Sequence, residues 1–302
     1  MRRPLGLAAM AATVVVWAGF ALSIRGIGAS GLTTMDVALI RFTTPVILLS
    51  PWIPRTLRSL SRERPAVVAA LCVGAGLPYF AVSALGGSLT SAALVGLVIP
   101  GVVPIFVAVL AYRSLGLRIR RAQAAALGVI LIGVAASVSW RTGGGIVVLL
   151  VAGLIWSVYT LALRSTRLDP AGAALVLCVP SALVTAALIG FGLVPSHLTS
   201  NGDDVLLYVA VQGIGVGVIA ALCYSIAIRN LGPRMAACLG ALAPALTTIT
   251  AVPLLGEPIT TSTLVSLALI VTGVVLFPLL EGKPHHVADR RPVVAAHGGL
   301  RR

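Results

Sequence analysis

Ten apolar stretches follow one another along this chain, each close to the ~20 residues that a helix needs to cross ~30 Å of hydrocarbon. They lie near residues 5–24, 36–53, 66–85, 91–112, 122–140, 145–163, 171–192, 204–228, 235–255 and 260–280. With 58% of its 302 residues apolar and only 10% charged, the chain calls for an apolar solvent, and the reading is an all-α membrane protein. The first stretch follows Arg2 and Arg3 and so resembles a secretory leader. It continues through Trp17 to Ile24 with no polar segment or small-residue cleavage site behind it, which favours a first anchor.

The net charge of +14 would suggest nucleic-acid binding in a soluble protein, but here the arginines sort by side. Alternate loops hold Arg2, Arg3, Arg55, Arg58, Arg62, Arg64, Arg113, Arg118, Arg120, Arg121, Arg164, Arg167, Arg229 and Arg234. The intervening loops hold only Arg25 and Arg141, beside Asp203 and Asp204. Basic loops stay in the cytoplasm, so both termini are expected inside, in the inner membrane, with the lipid bilayer as partner and no nucleic acid. Cys72, Cys178, Cys223 and Cys238 lie within spans without paired spacing and read as small packing residues. The histidines, His197, His285, His286 and His297, fall in a loop or the tail, so neither a metal nor a cofactor is expected.

The chain also repeats itself. At a shift of 140, Pro104, Ala111, Leu115, Gly116, Ile119, Leu127, Ile130, Gly133 and Val134 recur as Pro244, Ala251, Leu255, Gly256, Ile259, Leu267, Ile270, Gly273 and Val274. About three such identities would be expected from composition alone. At a shift of 139, Trp17 and Arg25 recur as Trp156 and Arg164. A repeat of five spans is odd in number, so its second copy enters the membrane inverted and the two copies close around a central cavity. The expected units are residues 1–141 and 142–280, each a five-helix repeat, and a disordered cytoplasmic tail at 281–302.

Pro244, the run Leu254 to Thr260 with Glu257 and Pro258, Gly273, Arg41–Phe42 and Trp-Ala-Gly-Phe at 17–20 resemble EamA-type transporters of the drug/metabolite transporter superfamily. The resemblance covers essentially residues 5–280. It implies ten helices in two inverted repeats, an inner-membrane location, and export or exchange of amino acids, other metabolites or drugs. The first repeat departs from the pattern where Leu117 stands in place of Glu257.

Arg41 is the one charge well inside a span, where an arginine costs about 2.5–3.5 kcal/mol on insertion scales. It either lines the cavity, facing a carboxylate or phosphate on the substrate or a protein carboxylate, or snorkels outward past Asp36. Trp17 and Trp156 lie roughly 17 Å into their spans, below the usual interfacial belt. Tyr79, Tyr159 and Tyr224 could join them in an aromatic lining, or all five could simply pack. Gln212 and Thr247, Thr248 and Thr250 are polar groups at membrane depth, served either by a cavity or, for the threonines, by their own helix carbonyls. Pro104 and Pro244 remove a helix hydrogen bond at matching points, a pointer to helix breaks and gating. Gly213 and Gly217 suit close helix packing, and Glu257 suits a turn.

Apart from Asp36 at a boundary, no acid or histidine lies within a span, which predicts facilitated export or exchange of a small-molecule substrate. Two other classes stay open: an intramembrane lipid-modifying enzyme, for which clustered catalytic groups are missing, and a non-transporting sensor or assembly partner. The expectation is not an enzyme but a carrier, with a homodimer left open.

Overall fold

Proline and polar punctuation cuts this apolar chain into helices. The computed structural model describes residues 3–115, 120–136, 143–199, 202–240, 242–256 and 260–280, and every regular element among them is helical. Arg2, Gly116, Leu117, Arg118, Ile119, Arg141, Glu257, Pro258, Ile259 and the 281–302 tail lie outside the described residues.

Helix α1 spans Arg3–Gly26. A capping box opens α2 (Thr34–Leu48): the Thr33 hydroxyl accepts from the Asp36 amide, and the Asp36 carboxylate accepts from the Thr33 amide. Pro51 and Pro54 then end the straight run, and the chain bends by 61° into α3 (Ile53–Leu60). The second apolar stretch is therefore a bent pair, with α2 ending at Leu48 instead of near residue 53. Next come α4 (Pro65–Ala75), α5 (Leu77–Ser88), α6 (Ala92–Leu115) and α7 (Arg121–Ala136).

The later elements are α8 (Gly143–Ser165), α9 (Pro170–Gly190) and α10 (Gly202–Tyr208). A π-helical segment, Val209–Ala220, joins α10 to α11 (Ala221–Leu231), and α12 (Pro233–Gly240), α13 (Ala243–Leu255) and α14 (Thr261–Leu279) follow. Among the described residues, six helices are long and apolar enough to cross a membrane, or seven with the bent pair. The stretches near 122–140, 235–255 and 260–280 fall on shorter pieces: α7, the pair α12 and α13, and α14.

Two helices are central. Helix α1 packs against α11, the π-helical segment, α13 and α6, while α8 packs against α6, α4 and α5. Around them α2 lies on α9 and on the π-helical segment, and α7 lies on α14. Most buried apolar side chains form one continuous cluster that runs through all these contacts.

The loops gather at two ends. At one, the Asp36 carboxylate accepts from Ser196 Oγ at 2.6 Å and the His197 amide at 2.9 Å, while Asp204 accepts from the Gly31 amide. At the other, Glu63 Oε2 accepts from Thr166 Oγ1 at 2.6 Å and the Arg167 amide at 2.7 Å, Arg55 pairs with Asp169 at 3.2 Å, and Arg229 donates to the Leu168 carbonyl. The arginine-rich loops around Arg55, Arg167 and Arg229 thus meet at a single end of the molecule. For Glu63, partial burial would raise the carboxyl pKa, but the bonds from Thr166, Arg167 and Arg64 outweigh it and hold the pKa below the ordinary value of 4.5.

Candidate functional site

Helices α1 and α8 each carry a tryptophan near the middle. Trp17 and Trp156 meet edge to face, with ring centroids 5.4 Å apart and planes at 85°. Around Trp156 the rings of Tyr79 from α5, Tyr159 from its own helix and Tyr224 from α11 lie at 4.8, 4.9 and 5.7 Å. Tyr224 also touches Trp17 at 4.9 Å and shares a 2.8 Å hydrogen bond with Thr160 Oγ1. Each such ring pair adds about 0.5–1.5 kcal/mol beyond buried area, so Trp156, with four ring neighbours, is the hub of the cluster.

Arg41 enters from α2. Its side chain does not reach the surface: the residue is 5% exposed, and its Nη1 donates to Gln212 Oε1 at 2.7 Å. Gln212, in the π-helical segment and fully buried, passes the chain on by donating from Nε2 to Ser23 Oγ at 2.7 Å; Ser23 Oγ donates to the Phe20 carbonyl. The Tyr208 hydroxyl donates to the Ser23 carbonyl at 3.1 Å and steadies the same turn. The guanidinium carbon sits 5.2, 5.6 and 5.7 Å from the ring centres of Phe20, Phe42 and Phe80. One charge-assisted hydrogen bond contributes roughly 1.5–3 kcal/mol and a desolvated cation–π contact up to about 2 kcal/mol, which matches the insertion cost of an arginine. The guanidinium can therefore stay inside. Its charge, however, is not cancelled: among the described residues no carboxylate pairs with it, and its buried Nε has no hydrogen-bond partner.

Two hollows adjoin on this cluster. The first contains about 520 Å³ of empty space including its mouth, between Trp17, Phe20, Arg41, Tyr79, Trp156 and the α6 face of Val95, Gly96, Ile99, Pro100 and Val103. The second, about 380 Å³, runs on between Tyr159, Tyr224, Phe42 and Cys178. Trp17, Arg41, Trp156 and Val216 border both, so they form the partition between them. Because proline has no N–H, Pro100 cannot satisfy the carbonyl four residues back, that of Gly96, on the same wall.

Six of the eight candidate binding residues, Trp17, Arg41, Tyr79, Trp156, Tyr159 and Tyr224, thus line the hollows. Gln212 stands behind them as the partner of Arg41. Thr247 stands behind the wall of the first hollow and does not line it: its hydroxyl donates to the Ala243 carbonyl, and it backs onto Gly96, where a Cβ would come within 2.7 Å of it. Thr250 likewise donates to Leu246. The prolines also differ from the expectation of matched breaks. Helix α6 runs unbroken through Pro104, and Pro244 sits in the first turn of α13, where its missing N–H would be unbonded in any case.

Irregular backbone occurs instead at Gly76 and in the π-helical segment. Between α4 and α5 the Leu77 amide leaves the helix ladder and donates to Ser181 Oγ on α9 at 3.0 Å. A Cβ at Gly76 would fall 2.1 Å from the Cys72 carbonyl, so only glycine fits. Gly76 and Gly215, inside the π-helical segment, are 139 residues apart, the same shift that relates Trp17 to Trp156. Gly213 and Gly217 bring that segment against α2: a Cβ at either would meet Thr44 Oγ1 at 2.5 Å or Pro45 Cγ at 2.4 Å.

Sequence reasoning passed over Phe20, Ala21, Ser23, Thr160 and Pro100. Phe20 and Ala21 are three and four residues after Trp17, and Thr160 four after Trp156, so the helical face of each tryptophan pointed to them. Ser23 and Pro100 carried no such signal.

Residues 143–278 match the model of the EamA-like transporter family. The chain is 29% identical over 160 residues to an uncharacterized transporter from Clostridium kluyveri, an alignment covering 50% of each protein, so it spans about half the length of that curated relative. A solved crystal structure aligns with 93% of this chain and 100% of its own at a TM-score of 0.69 and 22% identity, a likeness of fold.

Proposed function

From the match of residues 143–278 to the EamA-like transporter family and the likeness to a bacterial transporter, we propose a carrier of the drug/metabolite transporter kind that exports small organic metabolites across the inner membrane by alternating access. Substrate binds in the hollows around Trp156, at the junction of two five-helix halves, residues 1–141 and 142–280, that are inverted relative to each other across ten spans. Both termini face the cytoplasm, as the arginine bias requires.

The observation that carries this reading is the reciprocal contact of repeat-related residues. Gly133 of α7 packs on Ile270 of α14, and Gly273 of α14 packs on Ile130 of α7: a Cβ added at either glycine would lie 2.9 or 2.5 Å from the isoleucine Cγ1. Residue i meeting j while the partner of i meets the partner of j is the mark of a two-fold axis. Trp17 and Trp156, related by the same repeat, touch each other. Gly6 of α1 packs on the end of α11, as Gly145 of α8 packs on Leu89 and Thr90 after α5. Halves related in this way can rock about a site held between them.

Counterflow into proteoliposomes tests the proposal: purified protein should exchange an amphipathic metabolite, and the double variant Arg41→Ala with Trp156→Ala should lose that exchange. Unchanged counterflow in the variant removes the site assignment. Transport is facilitated, so a steep dependence on an imposed pH gradient would contradict it. Reporter fusions at Arg120 and Gly143 should report opposite sides of the membrane.

A further inference from the structure

We infer that the solute this site accepts is an organic monoanion, a carboxylate or sulfonate on an apolar or aromatic body, and neither a zwitterion nor a phosphate monoester. This rests on the carrier reading above and names its substrate class. Arg41 is the only charged side chain among the described residues that line the two hollows, and it borders both. It is 5% exposed, bonded to a neutral amide, with Nε unpartnered. A guanidinium held this way presents a planar fork of donors that matches a carboxylate or sulfonate.

Charge balance then selects among anions. In a poorly polarisable hollow one fixed positive charge neutralises one negative charge, and any surplus is strongly disfavoured. A phosphate monoester carries about −1.5 to −2 at neutral pH and would leave negative charge without a second cation. A zwitterion would add an ammonium beside Arg41 with ring faces but, among the described residues, no lining carboxylate to cancel its charge. The remaining surface, the faces of Trp17, Tyr79 and Trp156, fits the apolar body.

Four probes with one ring and different head groups decide the matter: 3-phenylpropionate, L-phenylalanine, phenyl phosphate and 3-phenylpropylamine. Each is titrated against the full-length protein in detergent, and affinity is read from the ligand-dependent rise in melting temperature. The expected result is binding of 3-phenylpropionate at least about tenfold tighter than the other three, a gap of about 1.4 kcal/mol. Arg41→Met should weaken it by a similar factor or more, and Arg41→Lys, which keeps the charge but loses the fork, by less. Should Arg41→Met fail to fold, Arg41→Lys and the ranking of the four probes still decide.

Preference for phenylalanine or the amine, undiminished binding by Arg41→Met, or no binding of any probe overturns the inference. Counterflow of 3-phenylpropane-1-sulfonate, which cannot cross lipid as a neutral acid, separates the two readings. Anion binding without counterflow defeats the carrier and leaves the anion site standing. Counterflow of phenylalanine without anion binding does the reverse.

Discussion

Two close helix contacts in this molecule are built on glycine, and they differ in what they hold. Between α7 and α14, Gly133 and Gly273 admit each other's isoleucine neighbours in a reciprocal, apolar contact. Between α2 and the π-helical segment, Gly213 and Gly217 admit Thr44 and Pro45, and the close approach places Arg41 within reach of Gln212. The repeat relates the first pair to itself. It relates Arg41 to Pro180 or Ser181, which carry no charge, so the counterpart of the second contact, Ser181 against the break at Gly76, holds no cation. Symmetric packing serves as scaffold here, while the departure from symmetry supplies the one cation that lines the hollows among the described residues. A strictly two-fold site would have faced two like charges across one hollow.

The largest expected effect breaks the site side of this comparison. Trp156→Ala removes a ring with four aromatic neighbours and should cost about 3–5 kcal/mol of stability, read as a fall in melting temperature, and abolish counterflow. Trp17→Ala, with two ring neighbours in the cluster, should cost less; equal losses would deny Trp156 its place as hub. Gln212→Leu comes next. It strips Arg41 of its bond and should destabilise by roughly 1.5–3 kcal/mol, whereas Gln212→Glu should recover stability but suppress transport of an anion by filling its place.

The scaffold side is tested by Gly273→Ala, whose Cβ would meet Ile130 Cγ1 at 2.5 Å and the Ala126 carbonyl at 2.6 Å. Overpacking of about 1–3 kcal/mol is expected, partly relieved by Ile130→Ala in the same chain. Gly133→Ala should behave alike and be relieved by Ile270→Ala. If one pair couples in a double-mutant cycle and the other does not, the reciprocity is only geometric.

The smallest effect lies at the end of the molecule, at Glu63. Its lowered pKa means that the ionised form is stabilised by folding, so the contribution is present above the ordinary carboxyl value of 4.5 and lost as pH falls through the lower folded one. Melting temperature should therefore drop over that acid range in the parent protein, and the drop should shrink in Glu63→Gln.

Much of the site was legible because deep aromatic residues and a buried arginine are anomalies against an apolar background. Trp17, Trp156 and Arg41 stood out by type and depth alone, and the repeat suggested that the tryptophans converge. Thr247 stands behind the wall of the first hollow and bonds to its own helix, the alternative that any threonine at membrane depth has, and sequence gives no sign of which way the hydroxyl turns. The matched helix irregularities were sought at Pro104 and Pro244 because proline announces a lost hydrogen bond. They occur at Gly76 and around Gly215, where Ser181 and a π-helical register absorb the change without any proline at the matched positions.

Sequence alone determined that the chain is helical, apolar enough for lipid, gathers its arginines in alternate loops and repeats itself, since each follows from local composition and spacing. Only tertiary structure decided that Arg41 turns inward to Gln212 and that Trp156 gathers four rings. Those outcomes depend on angstrom-scale approach between helices distant in the chain, which glycines permit but do not by themselves specify.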